Sequence, residues 1–155
     1  MKIYNKTDAI ELPISLEAAW SFFSNPKNLA SITPPEMGFT ILSGAEKPLF
    51  AGQIIQYQVT PLFGIKTKWV SEITQVEHQK YFVDVQLYGP YSLWHHKHFF
   101  EEIAGGVRVT DDVDYKVPAG LLGQLIHPII VEPELNKIFN FRRKKLLELF
   151  GTIKS

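Results

Sequence analysis

The sequence contains no cysteine. Disulfide bonds, thiolate metal sites and a cysteine nucleophile are therefore excluded. Charge of one sign is not in excess either, because 16 Lys and Arg residues balance 16 Asp and Glu residues. A neutral chain creates no overall field that attracts a nucleic acid or an anionic lipid surface. We therefore expect no nucleic-acid partner.

Long hydrophobic runs are also missing. The N-terminal segment MKIYNKTDAIELPI is interrupted by polar residues every few positions. This pattern fits neither a signal peptide nor a membrane span. Together with the lack of cysteine, it favours a reducing, cytoplasmic setting.

Aromatic side chains, by contrast, are plentiful: they make up 13% of the chain, with 11 Phe, 6 Tyr and 3 Trp. Such a surplus suits a large core or a pocket lined with rings. The length of 155 residues fits one domain, and no repeat, low-complexity tract or linker divides it. We expect a single domain over residues 1–155.

Hydrophobic periodicity gives the order of the elements. One strand comes first, then two short helices, about six consecutive strands and a long C-terminal helix. His127-Pro128 is expected to interrupt the helical region. The patterns predict strands at 3–12, 39–43, 53–60, 65–76, 81–88, 92–103 and 107–117, and helices at 16–23, 27–32, 120–126 and 132–150.

This order predicts an α+β fold. Consecutive antiparallel strands need a cover on their hydrophobic face, and the last helix is the only element long enough to provide it. The expected architecture is a curved antiparallel sheet of six to seven strands wrapped around the long C-terminal helix, with two short helices after strand 1. A sheet curved around one helix leaves space for a small, largely apolar ligand.

Several polar residues fall on strand faces that should point inward. Alternation in the last two strands groups His96 with His98, and it places Asp111 among valines. A buried carboxylate is costly unless it is paired, and an imidazole is a suitable partner. The inward polar group consists of Asp84, Gln86, Trp94, His96, His98, Asp111 and Tyr115.

Three interpretations of this group remain open. It is a satisfied polar network that fixes the strand register, a set of polar anchors in an apolar pocket, or an acid–base pair. The catalytic candidates for the third case are His96 or His98 with Asp84 or Asp111. His96 and His98 also lie on one strand face, where a carboxylate could complete a metal site, but the sequence identifies no third ligand position. We therefore predict no metal and no cofactor.

The same stretches resemble a known superfamily. The chain resembles the START/polyketide-cyclase (SRPBCC) superfamily, which has the helix-grip fold of the birch pollen allergen, and more narrowly its bacterial ligand-binding members. The resemblance implies a deep hydrophobic cavity between the sheet and the long helix. It rests on Phe82-x-Asp84-x-Gln86-x-x-Gly89-Pro90-Tyr91, Trp94-x-His96-x-His98-x-Phe100-Glu101, Gly106, Asp111-x-Val113-x-Tyr115, Pro118-x-Gly120-x-Leu122-Gly123 and Phe139-x-x-Arg142.

Three functions compete. The first is binding of a lipid-, polyketide- or aromatic-like ligand in the cavity, by a monomer or a homodimer. The second is a cyclase- or dehydratase-like reaction, and the third is regulation by docking onto a partner, for which the turn at residues 61–65 is a possible apolar patch. The predicted ligand-binding residues are Tyr57, Trp69, Phe82, Asp84, Gln86, Trp94, His96, His98, Asp111, Tyr115, Phe139 and Arg142.

Overall fold

A computed structural model describes residues 2–60 and 64–153. The predicted α+β architecture is confirmed: seven strands form one antiparallel sheet, and helices follow strand 1 and strand 7. The strands are β1 (Tyr4–Leu12), β2 (Thr40–Ser43), β3 (Gln53–Val59), β4 (Thr67–Glu77), β5 (Tyr81–Tyr88), β6 (Leu93–Ile103) and β7 (Gly106–Lys116). The helices are α1 (Leu16–Phe23), α2 (Pro26–Leu29), α3 (Gly120–Ile126) and α4 (Glu132–Phe150), with short 3-10 turns at Ala30–Ile32 and Pro35–Met37.

The sheet has the order β1-β7-β6-β5-β4-β3-β2, so β1 joins the last strand and every other neighbour is consecutive. Register shifts interrupt the pairing of β4 with β5 between Val70 and Ser71 and again between Ile73 and Gln75. Such bulges increase the local twist and bend a sheet. They lie in the middle of the sheet, where the bend lets its inner face curve around α4.

Capping residues fix the short helices after β1. The Ser15 hydroxyl accepts a hydrogen bond from the Ala18 backbone N–H at 3.1 Å, and Asn25 does the same for Lys27 at 3.1 Å. Pro26 occupies the first position of α2, where its missing N–H has no intrahelical partner to lose. These two helices close one end of the curved sheet.

The C-terminal helical region is longer than the sequence predicts. His127-Pro128 was expected to interrupt it, and this is wrong: a π-helical segment, His127–Val131, joins α3 to α4. The Glu132 N–H bonds to the His127 carbonyl, five residues earlier. A π-turn shifts the hydrogen-bond pattern locally, and this shift accommodates the proline without ending the helix.

A glycine allows this helical run to start close to the end of β7. A Cβ atom on Gly123 would lie 1.9 Å from the Pro118 carbonyl oxygen, a backbone atom. Only a residue without a side chain fits there. Gly123 therefore helps to set the direction in which the helical run crosses the sheet.

The core lies between the inner face of the sheet and α4. The helix buries Leu135, Phe139 and Leu146, which share the helical spacing that the sequence indicates. An ion pair ties the helix to the first strand, since the Arg143 guanidinium lies 2.6 Å from Asp8 Oδ1. Among the described residues, no helix is both long enough and apolar enough to cross a membrane.

Candidate functional site

A pocket of about 180 Å³ lies between the inner face of the sheet and α4. Strands β3 to β6 form one wall, α4 forms the opposite wall, and the segment from α1 to Phe39 closes the side. Most of the lining is aliphatic or aromatic. The polar residues on the wall are Ser24, Asn28, Thr33, Ser71, Asp84, His96, His98 and Arg142.

The structure brings most of the predicted ligand-binding residues to this wall, and three lie elsewhere. Within the described part of the chain, Gln86, Asp111 and Tyr115 are outside the lining. The predicted residues that line the pocket are Tyr57, Trp69, Phe82, Asp84, Trp94, His96, His98, Phe139 and Arg142.

Gln86 holds a turn instead of facing the pocket. Its amide Nε2 donates to the Tyr91 carbonyl at 2.6 Å, and its Oε1 accepts from the Tyr91 N–H at 3.3 Å. Strand alternation places Gln86 on the face of Asp84, and Gln86 pairs with Ser71, which lines the pocket. Alternation gives the face of a strand residue but not the direction in which a long side chain turns, and the Gln86 side chain turns to the backbone of Tyr91.

Five side chains form what we call the polar cluster: Asp84, His96, His98, Asp111 and Arg142. The register of three neighbouring strands assembles the first four of them. Asp84 of β5 lies opposite His96 of β6, and His98 of β6 lies opposite Asp111 of β7. Opposite residues on one face have Cβ atoms about 5 Å apart, within reach of an imidazole and a carboxylate.

The hydrogen bonds of the polar cluster run mostly along the diagonals. His96 Nε2 lies 2.8 Å from Asp111 Oδ1, and His98 Nε2 lies 2.9 Å from Asp84 Oδ2. His98 Nδ1 also reaches Asp111 Oδ1 at 3.0 Å, while His96 Nδ1 is 3.8 Å from Asp84 Oδ2. The two imidazole rings lie against each other with centroids 3.8 Å apart. Each imidazole thus lies between the two carboxylates.

Arg142 brings the helix into the polar cluster. Its Nη1 donates to Asp111 Oδ2 at 3.2 Å, and its guanidinium carbon lies 5.3 Å from the centre of the Phe139 ring. The Arg142 Nε is buried and has no hydrogen-bond partner among the described residues. One carboxylate, Asp111, therefore links β6, β7 and α4.

Burial and pairing shift the pKa values of the cluster in different directions. Burial would raise the pKa of Asp111, but the Arg142 guanidinium and the hydrogen bonds from both imidazoles hold it well below its usual range. Burial would also raise the pKa of Asp84, and the hydrogen bond from His98 and the imidazole charges lower it overall. Burial lowers the pKa of His96, and the charge of His98 lowers it further. Burial alone would lower the pKa of His98, yet its bonds to Asp111 and Asp84 raise it.

These directions favour ionised carboxylates, a protonated His98 and a neutral His96. The negative charges of Asp84 and Asp111 are then balanced by the positive charges of His98 and Arg142. Buried charges need such partners. We assign the His96 proton to Nε2, which donates to Asp111. Its Nδ1 then carries the free lone pair and lies 3.8 Å from Asp84 Oδ2, and both residues line the pocket.

Three aromatic rings extend the wall beside the polar cluster. The Trp69 and Trp94 rings meet edge to face with centroids 5.3 Å apart, and Tyr91 packs on Trp94 at 4.8 Å. Tyr91 lines the pocket although the sequence analysis did not select it. It follows Gly89-Pro90 directly, and a large aromatic residue next to a turn was the available signal.

His127 is a second residue that the sequence analysis missed. It is buried, its ring stacks on Tyr4 with centroids 3.6 Å apart, and its Nε2 lies within hydrogen-bond distance of the Tyr115 hydroxyl, at 2.8 Å. Burial and the charge of Glu132 raise the pKa of Tyr115 to about 12. Tyr115 therefore binds the helical run and does not face the pocket.

The docking hypothesis requires an exposed apolar patch, and the first part of the helical run carries one. Leu121, Leu125 and Ile129 are 79%, 70% and 75% exposed, and Leu122 is exposed beside them. This patch begins three residues after Pro118, and the sequence analysis did not select it as a docking surface. Of the turn considered for that role, residues 61–63 lie outside the described part of the chain.

Comparisons with known proteins bear on the fold. No family model matches the sequence, and no curated protein matches it. Many solved structures do match. The Zhui aromatase/cyclase from Streptomyces sp. R1128 is 13% identical, with 96% of this chain and 93% of that chain covered and a TM-score of 0.73.

Two further structures agree over nearly their whole length. Ara h 8.0201 is 13% identical, with 95% of this chain and 99% of that chain covered and a TM-score of 0.64. Protein Ms6760 from Mycobacterium smegmatis is 18% identical, with 96% and 98% covered and a TM-score of 0.66. At these identities the likeness shows the fold, and the fold is the helix grip that the sequence resemblance implies.

Proposed function

We propose that the protein binds a small, largely apolar molecule in the pocket between the sheet and α4. The observation that carries this proposal is the composition of the pocket wall. It is aliphatic and aromatic on most sides, and its charged groups are confined to one place, where Asp84, His96, His98 and Arg142 meet. Ligand sites typically combine an apolar lining with a few convergent polar groups.

The size of the pocket supports a ligand with at least one ring. An apolar protein cavity of roughly 150 Å³ is large enough to bind benzene, and this pocket measures about 180 Å³. The Trp69, Tyr91 and Trp94 rings offer edges and faces for an aromatic or polyketide-like skeleton. The name of the Streptomyces protein, an aromatase/cyclase with the same fold, supports the same ligand class.

The polar cluster would orient such a ligand. His96 Nδ1 accepts a hydrogen bond, and a protonated His98 or the Arg142 guanidinium attracts an electron-rich oxygen. A ligand with an apolar body and one hydroxyl or carbonyl group at its end would satisfy both parts of the wall. An entirely polar ligand would leave the aromatic wall without a partner.

Fluorescence titration with N-phenyl-1-naphthylamine, a neutral apolar probe, tests this proposal. Val59→Phe adds a ring to the pocket wall, and Gln58→Phe adds the same ring on the other face of β3. We expect saturable 1:1 binding to the wild-type protein. Val59→Phe should weaken it by roughly tenfold or more, equivalent to about 1.4 kcal/mol, and Gln58→Phe should leave it unchanged.

A second blocking variant, Ile138→Phe on α4, separates pocket filling from damage to β3. Circular dichroism checks that each variant is folded. Equal affinity of the wild-type protein, Val59→Phe and Ile138→Phe for the probe would contradict the proposal. So would the absence of saturable binding.

The enzymatic alternative uses the same pocket. It is supported by the position of His96, His98 and Asp84, which all line the pocket wall. Each of the two imidazoles lies within hydrogen-bond distance of a carboxylate. It predicts chemical turnover of a bound carbonyl compound, whereas binding alone predicts recovery of the ligand unchanged. Mass spectrometry of the ligand after incubation separates the two.

A further inference from the structure

We propose that Asp84, His96 and His98 together form a binding site for a divalent transition-metal ion on the pocket wall. The sequence analysis predicted no metal because His96 and His98 had no third ligand. The strand register supplies it, since Asp84 lies directly opposite His96. This site shares the pocket with the proposed apolar ligand but does not depend on that ligand.

The geometry suits a metal ion. Each of the three side chains offers one ligand atom, and these atoms lie within 4.8 Å of one another. Asp84 Oδ2 is 2.9 Å from His98 Nε2 and 3.8 Å from His96 Nδ1. Metal–ligand bonds of about 2.1 Å place neighbouring ligand atoms roughly 3 to 3.5 Å apart. Small side-chain adjustments, and release of the proton on His98 Nε2, therefore close the three ligands around an ion.

The other nitrogen of each imidazole is held in the way that metal sites require. His96 Nε2 and His98 Nδ1 both bond to one oxygen of Asp111, at 2.8 Å and 3.0 Å. Arg142 in turn holds the second oxygen of Asp111 at 3.2 Å. A carboxylate behind a histidine ligand fixes the ring orientation and raises the basicity of the ligating nitrogen. A single carboxylate here serves both histidines.

The ligand types select the class of ion. Two imidazoles and one carboxylate, without thiolate, suit Zn²⁺, Fe²⁺, Co²⁺ or Ni²⁺ better than Mg²⁺ or Ca²⁺, which prefer all-oxygen sites. Three protein ligands leave at least one coordination position open. That position faces the pocket, because all three residues line it. An oxygen of a bound molecule, or water, would complete the coordination.

A purely structural role would explain the hydrogen bonds equally well, so the test must separate the two. The full-length protein is treated with a chelator, dialysed and titrated with Zn²⁺ alone by calorimetry. We expect one ion per chain with micromolar or tighter affinity. Titration with Co²⁺ alone should produce visible d–d absorption bands of a site with mixed nitrogen and oxygen ligands.

Variants then locate the ion. Asp84→Asn and His98→Gln should each weaken binding by at least about tenfold, and His95→Gln, at the strand position directly before His96 and on the other face of β6, should not. If a variant fails to fold, imidazole N–H signals shifted by Co²⁺ in the NMR spectrum of the wild-type protein identify the ligands. Absent binding, or binding that Asp84→Asn and His98→Gln leave unchanged, would overturn the proposal. Probe binding by the metal-free protein tests the apolar pocket separately.

Discussion

Strands β6 and β7 carry two charged groups on opposite faces, because successive residues of a strand point to opposite sides of the sheet. On the inner face His96 and Asp111 belong to the polar cluster. On the outer face Lys97 lies 2.7 Å from Asp112 and 3.0 Å from Asp114, and we call these three residues the outer group. The distances within the two groups are similar, with 2.8 Å between His96 and Asp111.

The surroundings of the two groups differ far more than their distances. The His96 and Asp111 side chains are 7% and 10% exposed, whereas those of Lys97 and Asp112 are 23% and 24% exposed. Water reaches the partly exposed outer charges and screens them, and ion pairs near the surface contribute little. Buried charges lose their hydration, so removing one partner leaves the other without compensation. We therefore expect burial, and not contact distance, to decide how much each charged pair contributes to stability.

The largest difference should come from neutralising one carboxylate on each face. Asp111→Asn leaves the charges of His98 and Arg142 buried without their shared counter-ion, so we expect a loss of about 3 to 5 kcal/mol in the free energy of unfolding. Asp112→Asn should cost no more than about 1 kcal/mol. Urea unfolding followed by circular dichroism measures both. Equal losses in the free energy of unfolding for the two variants would contradict the expectation that the buried carboxylate contributes more.

A smaller effect should appear in the pairwise coupling. A double-mutant cycle with Arg142→Met and Asp111→Asn isolates the inner pair, and one with Lys97→Met and Asp112→Asn isolates the outer pair. We expect a coupling energy of about 1 to 3 kcal/mol for the inner pair and about 0.2 to 1 kcal/mol for the outer pair. Repeating both cycles in 1 M NaCl should reduce only the outer coupling, because buried pairs are screened less.

The pH dependence gives the smallest effect and involves His127. Burial lowers the pKa of His127, against the opposing charge of Glu132, and its Nε2 is hydrogen-bonded to the Tyr115 hydroxyl. A histidine with a depressed folded-state pKa contributes stability that is present above its unfolded-state value of about 6.5 and is lost as the pH falls through the folded-state value. The free energy of unfolding should therefore fall between pH 7 and pH 5 more steeply in the wild-type protein than in His127→Gln. His95→Gln, on the outer face of β6, is the control, and identical slopes for the wild-type protein and His127→Gln would contradict this assignment.

Much of the fold could be predicted from the sequence because its strands alternate cleanly. In β7 every second residue from Val107 to Tyr115 is buried, which is what the pattern of valines indicates. The helix cap at Ser15 could also be predicted, since a serine before an apolar helical run accepts a hydrogen bond from a free backbone N–H. The continuous helix through Pro128 could not be predicted, because no local composition distinguishes a π-turn from a helix break.

The candidate site was only partly predictable for a related reason. Alternation tells which face a residue occupies, and it put His96, His98 and Asp111 on the inner face. It does not tell which residue on the next strand lies opposite, and that pairing is what joins Asp84 to both imidazoles. Gln86 illustrates a second limit, because it shares the register and the strand face of Asp84 but its side chain bonds to the backbone of Tyr91.

The most direct test of the ligand-binding account is to locate a bound apolar molecule by NMR. Isotope-filtered nuclear Overhauser effects between N-phenyl-1-naphthylamine and the labelled protein report which side chains lie next to the probe. We expect Overhauser effects between the probe and Ile55, Val59 and Phe139, which line the pocket. Contacts confined to Leu121 and Leu125, on the exposed face of α3, would place the binding surface outside the pocket and contradict it.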